Sequence, residues 1–205
     1  MRNRGGEIVV NAVGEYVNRR IFLLTGNLNA GDAKGWLAQL RRGIGKKPGE
    51  LPELWGILLQ TLPEELMGKG NEPSHAEWAI YTALTLFALH QQGHAESMNL
   101  PGKENSLGGS AQKLVHTDEE EERVRAKLSL AAQSYDMEEL AYRLKTLIRL
   151  FSADNVKLDY VDLAKDLFLF QKEKYTDGIR LKWGQDFYRN IKTNDNGKGE
   201  DNEEK

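Results

Sequence analysis

Two histidines and a run of carboxylates are the first residues in this 205-residue chain whose types and spacing could do chemistry. His90 and His94 stand at i and i+4, a spacing that can place two imidazoles on one helix face as metal ligands. The glutamate of a zincin motif is missing, Gly93 interrupts the helix between them, and no third ligand lies nearby. His90 therefore reads as a helix-end residue satisfied by hydrogen bonds. The run from Asp118 to Glu122 could hold a cation, but five carboxylates opening a helix are favoured there by the helix dipole alone. Gly108-Gly109 is not followed by the Gly-Lys-Ser/Thr of a phosphate loop, and no strand precedes it. Cysteine is absent, which removes thiol nucleophiles, thiolate metal sites and disulfides. No catalytic constellation emerges, so the expectation is a protein without an active site, metal or cofactor.

Cations are the more productive signal. In LRRGIGKKPGELPELW (40–55), Arg41, Arg42, Lys46 and Lys47 crowd a helix end and the Gly-rich loop after it. Further along, Lys145 and Arg149 fall about 140° and 180° from Leu140 at 100° per residue, on the outer face of an amphipathic helix with Tyr142. Arg123 and Lys127, at i and i+4, share a flank of the preceding helix. Lys172, Lys174, Arg180 and Lys182 gather around the last interhelical turn. Each set alone is what a solvated face carries. Together they fit a surface that tracks phosphates, by backbone contacts rather than base readout.

The net charge of −3 conceals this segregation. Residues 1–50 hold nine Lys/Arg against four Asp/Glu, residues 51–122 hold three against twelve, and residues 143–189 hold ten against seven. Two basic regions flank an acidic middle, which permits a polyanion-binding face on a soluble protein. No signal peptide and no run of about 18 apolar residues is present, so the expected location is the cytoplasm, away from membranes.

Helices must position these cations, because nearly every periodic segment has helical spacing. Glu7 to Thr25 reads as the first helix. Asp32 caps a second (AKGWLAQLRRG) with Trp36, Leu37 and Leu40 on its apolar side, closed by Gly43. A third, PELWGILLQTL, starts at Pro52 and contributes Trp55 to the core. Ser74 and Glu77 form a capping box for a helix apolar almost all round, which should be central. Residues 94–109 read as a mobile loop. Val124, Leu128, Ala131, Ala132 and Tyr135 mark one further helix; Leu140, Leu144, Leu147, Ile148 and Phe151 mark the next, opened by Asp136 and Glu139. Asp159 caps YVDLAKDLFLFQK, and a last helix is anchored by Ile179, Trp183 and Tyr188. The expectation is an all-α bundle of about eight helices over residues 1–190, either one unit or two small helical subdomains, with a disordered acidic tail at 191–205.

Five segments in order, LRRGIGKKPGELPELWGILLQTLP (40–63), LFALHQQ (86–92), NSLGGSAQKL (105–114), LKTLIRLFSADNVKLDYVDLAKDLFLF (144–170) and RLKWGQDFY (180–188), resemble the small subunit of the type I-E CRISPR Cascade complex, the CasB family. The resemblance spans about residues 7–190. It implies an all-α, non-catalytic subunit, usually present as two copies, that packs against guide-RNA-coated backbone subunits and helps hold the displaced strand of R-loop DNA. It implies that Arg41 and Arg42 contact phosphates, together with Arg143, Lys145 and Arg149 and with Lys172, Lys174 and Arg180. Relatives often carry an arginine directly after the Ser-Leu-Gly stretch; here Gly109 stands in that place, so such a contact is missing or moved, with Lys113 the nearest replacement.

The implied partners are thus other Cascade subunits, guide RNA, single-stranded DNA and a second copy of the chain. The rival from another class is a helical protein–protein adaptor whose basic patches meet acidic partners. A His/Glu metal hydrolase is the third, and it would need stoichiometric metal.

Overall fold

The computed structural model describes residues 4–26 and 31–195, with side chains for 6–26 and 31–189. Helix α1 (Arg4–Thr25) is followed by α2 (Gly31–Arg42) and α3 (Trp55–Leu58); then come α4 (His75–His90), α5 (Leu107–Gln112) and α6 (Asp118–Ala132). The last three are α7 (Met137–Ala153), α8 (Tyr160–Phe170) and α9 (Glu173–Asp195). Among the described residues no strand forms; Asn99 and Leu158 make one isolated parallel bridge. The fold is all-α.

The apolar helix takes the central place that its sequence demands. Ser74 accepts from the Glu77 amide at 3.0 Å while the Glu77 carboxylate accepts from the Ser74 amide at 2.7 Å, and α4 then buries nearly every side chain. Helices α1, α2, α7 and α8 pack around it, α6 lies on α7, and α5 lies against α9. Thr117, Asp136 and Asp159 cap α6, α7 and α8 through their side chains, which satisfies amide groups left over at each helix start. The α5–α9 contact is close because Gly108 has no side chain: a Cβ there would collide with the Trp183 carbonyl.

Several expectations need correction. Residues 94–109 are not a free polar loop. Gln91 donates to the carbonyls of His94 and Glu96 and accepts from the Met98 amide; Met98 is buried, and Asn105 through Gly109 are buried as well. Trp36 and Trp55 are 39% and 55% exposed, so neither is a core anchor. PELWGILLQTL yields only a 3-10 turn (Pro52–Leu54) and the single α turn of α3, which ends at Leu58; the chain then turns through Thr61, whose φ is +67°. Tyr135 lies beyond the end of α6, where the helical periodicity no longer applies, and is almost fully exposed. In α9 the buried ring four residues after Trp183 is Phe187, and Tyr188 turns outward. Helix α9 runs through the first residues assigned to the tail; residues 196–205 lie outside the described residues.

Candidate nucleic-acid interface

Helix α2 buries Ala33, Leu37 and Leu40 and delivers Arg41 and Arg42 in its last turn, where the dipole favours cations. Arg41 is half-buried; its Nη1 donates to the Ala88 carbonyl at 3.4 Å, and burial lowers its pKa. Arg42 is exposed and has no carboxylate partner among the described residues. Gly43 ends the helix tight against α4. A Cβ there would stand 2.7 Å from the Tyr81 hydroxyl, which donates to the Gly43 carbonyl. The chain then turns through Lys46, which is exposed and has no carboxylate partner among the described residues, to Lys47.

Lys47 Nζ meets Glu138 Oε1 at 3.0 Å, and that carboxylate raises the lysine pKa. Glu138 stands at the foot of an outward stripe on α7: Glu138, Tyr142, Lys145 and Arg149 follow at i, i+4, i+7 and i+11, so they share a face. The opposite face buries Leu140, Leu144, Leu147, Ile148 and Phe151. Tyr142 is 69% exposed, Arg149 is exposed and Lys145 half-buried, and neither cation has a carboxylate partner among the described residues. A second link joins the two elements at their other end. Arg41 lines a surface depression with Gln91, Gln92 and His94, and His94 Nε2 lies 3.0 Å from Ser152 Oγ in the last turn of α7. The end of α2 and α7 therefore both pack on α4, and the turn after α2 meets the foot of α7 at Lys47–Glu138; together they make up an α2–α7 strip.

The other sequence candidates are placed elsewhere. Arg123 is exposed, 3.8 Å from Glu120, and Lys127 is half-buried on the same helix. Arg143 is bound within α7, its Nε and Nη2 donating to Glu139 at 3.0 and 2.6 Å. Lys172 sits over the Phe168 ring and Lys174 over that of Tyr175. Arg180 donates to the Ala132 carbonyl at 2.7 Å and to Asp177 at 3.1 Å, which commits it to closing α6. Apart from Arg143, which stands on α7 itself, none of these groups reaches the α2–α7 strip through a side-chain hydrogen bond or ion pair among the described residues.

Two lysines are structural. Lys113 donates to Asn105 at 2.6 Å from a half-buried site, and burial lowers its pKa, so it points away from the role of a displaced phosphate contact. Lys182 donates to Asp162 at 2.6 Å and to both Asp166 oxygens at 2.7 Å, and those carboxylates hold its pKa above the usual lysine value despite burial. Sequence reasoning passed over Lys34, which lines the same depression as Arg41. Its signal was the i, i+7 spacing to Arg41 on one helix.

His90 is fully buried, with Nδ1 3.0 Å from the Tyr160 hydroxyl. Burial, aided by His94, lowers its pKa to about 4, which favours the neutral ring. Among the described residues no three His, Cys, Asp or Glu side chains are grouped to hold a metal. No described helix is long and apolar enough to cross a membrane.

Comparisons with known proteins give the arrangement a context. The family model of CRISPR-associated protein Cse2 matches residues 36–188, a stretch that contains every candidate cation named above except Lys34. The crystal structure of CasB from Thermobifida fusca matches with a TM-score of 0.74 at 29% identity, covering 86% of this chain and 98% of that one. That of M. ruber CasB matches with a TM-score of 0.66 at 20% identity over 87% and 98%, a likeness of fold. No curated protein matches the chain.

Proposed function

The chain belongs to the CRISPR-associated Cse2 family, the CasB small subunits of type I-E Cascade, and from that premise we propose that it grips nucleic-acid phosphates along the α2–α7 strip. The ligand is target DNA opened by guide pairing, above all the displaced strand. Its sequence has already been read by the guide, so the subunit needs only sequence-independent contacts. The observation that carries this reading is that Arg42, Lys46, Lys145 and Arg149 stand free of carboxylate partners among the described residues, on two elements joined by the Lys47–Glu138 contact, with the exposed ring of Tyr142 on the same α7 stripe. Unpaired cations neutralise phosphates without first breaking an ion pair, and an exposed ring can stack on an unpaired base. Contacts with guide-RNA-coated subunits and with a second copy belong to the same reading.

Nuclease protection of the displaced strand in R-loops tests it. Complexes carrying Arg42→Glu, Lys145→Glu and Arg149→Glu should assemble and pair with target, yet leave the displaced strand cleaved at least tenfold faster than wild type. Unchanged protection would contradict the reading.

A further inference from the structure

An open cleft of about 200 Å³ lies between the Pro48–Leu62 segment, which directly follows Lys46 and Lys47, and the start of α4. Its apolar wall is made by Leu51, Trp55, Leu58, Leu59, Ile80 and Tyr81, and Trp55 and Leu59 remain 55% and 38% exposed. A cavity of roughly 150 Å³ holds a benzene ring, whereas small-molecule sites usually run to roughly 300 Å³ or more. The cleft is therefore the size of one anchoring side chain rather than of a cofactor. Half-exposed tryptophans beside such clefts are typical of the central residues of protein interfaces.

Charge narrows the occupant. Glu72 and Glu77 line the cleft, and Glu53 stands in sequence between its lining residues Leu51 and Trp55. Of the neighbouring cations, Lys69 stands between Gly68 and Gly70, and Lys47, next to Pro48, is already paired with Glu138. Glu77 is committed to the amides of Ser74 and Gly68. Glu53 and Glu72 are exposed and have no ion-pair partner among the described residues. A phosphate strand is repelled here, and so is an acidic segment such as residues 200–205.

We infer that this cleft is a protein-docking site taking one large apolar side chain of another Cascade subunit, carried on a segment flanked by Lys or Arg. Family membership supplies the premise that other subunits are partners; the phosphate-gripping role of the α2–α7 strip is not needed.

The test places a photoreactive benzophenone side chain at position 59, in place of Leu59, and irradiates the purified Cascade complex. The expected adduct is on another subunit, at an apolar residue within a Lys/Arg-rich segment. An adduct to nucleic acid, an adduct to a second copy of this chain, or none at all in the assembled complex would overturn the inference. Glu53→Lys with Glu72→Lys, both at exposed positions, keeps the test independent of folding. It should lower the occupancy of this subunit in the complex at least fivefold while its single-stranded DNA affinity does not fall. Unchanged occupancy would equally overturn the docking site. Failure of the phosphate reading would appear instead in the strand-protection assay, which this variant does not address.

Discussion

Lys47 and Glu138 meet at 3.0 Å, and with that contact the turn after α2 is fastened to the foot of α7. Both side chains are about half exposed, so the pair adds little to stability. Its consequence is electrostatic, since Glu138 is the single anion of the α7 stripe. Glu138→Gln should raise single-stranded DNA affinity by roughly twofold to fivefold at low salt, with the gain fading as salt screens it. Fluorescence anisotropy measures this; a fall in affinity would show that the pair is needed to shape the strip.

His90 makes stability depend on pH in a defined window. Its ring is held neutral to about pH 4 in the folded chain, whereas in the unfolded chain it takes up a proton near 6.5. The depressed pKa means that the His90 contribution is fully present above about pH 6.5 and is lost as pH falls through about 4, a change of about 3 kcal/mol. Urea midpoints at pH 7.5, 6 and 4.5 should therefore fall more steeply in the wild type than in His90→Gln. Parallel curves would mean that His90 is not the titrating group.

The Asp166 carboxylate gathers two donors, accepting at 2.7 Å from Trp183 Nε1 and, with both oxygens, from Lys182 Nζ. Trp183 in turn stacks on Phe170 at 5.6 Å, so one carboxylate ties α8 to α9. Asp166→Ala leaves a buried indole N–H without an acceptor and should cost roughly 2–4 kcal/mol. Asp166→Asn retains an acceptor and should cost less, as read by denaturant midpoints and by the emission maximum of Trp183. Equal losses in the two variants would remove the hydrogen bond as the cause.

Two glycines separate packing from propensity. Gly108→Ala drives a Cβ into the α9 backbone and should destabilise by about 1–3 kcal/mol. Gly178→Ala, in α9 with open space around the added carbon, should stabilise by about 0.5–1 kcal/mol. Thermal melts that rank the two the other way would refute the close α5–α9 approach.

What the sequence made legible was local. The Ser74–Glu77 box, the caps at Asp136 and Asp159, the apolar circumference of α4 and the buried stripe of α7 are all written within one or two helical turns. Periodicity failed where helices stop. Tyr135 keeps its i+11 spacing on paper, but α6 has ended at Ala132. Residues 94–109 looked mobile because their composition is polar, yet Gln91 holds the 94–98 backbone and the backbone of Met98, Leu100 and Asn105 finds partners in the Leu158–Asp159 connector, far away in sequence. At the site, the outward direction of Lys145 and Arg149 was readable from the helix angle. Their alignment with the LRRG turn was not, because it depends on Lys47 reaching Glu138 and on His94 reaching Ser152. The commitment of Arg143 and Arg180 to intramolecular partners depends on Glu139, Asp177 and the Ala132 carbonyl, which charge counting does not reveal.

The most direct measurement is the salt dependence of single-stranded DNA binding by the isolated chain, compared with the Arg42→Ala/Lys145→Ala/Arg149→Ala variant. Each phosphate contact on a single strand contributes about 0.7 to the slope of log affinity against log salt, so losing three should flatten it by about 2. The expected result is that flattening, together with at least a tenfold weaker affinity at low salt and an unchanged thermal melt. An equal slope and an equal affinity in a folded variant would contradict it.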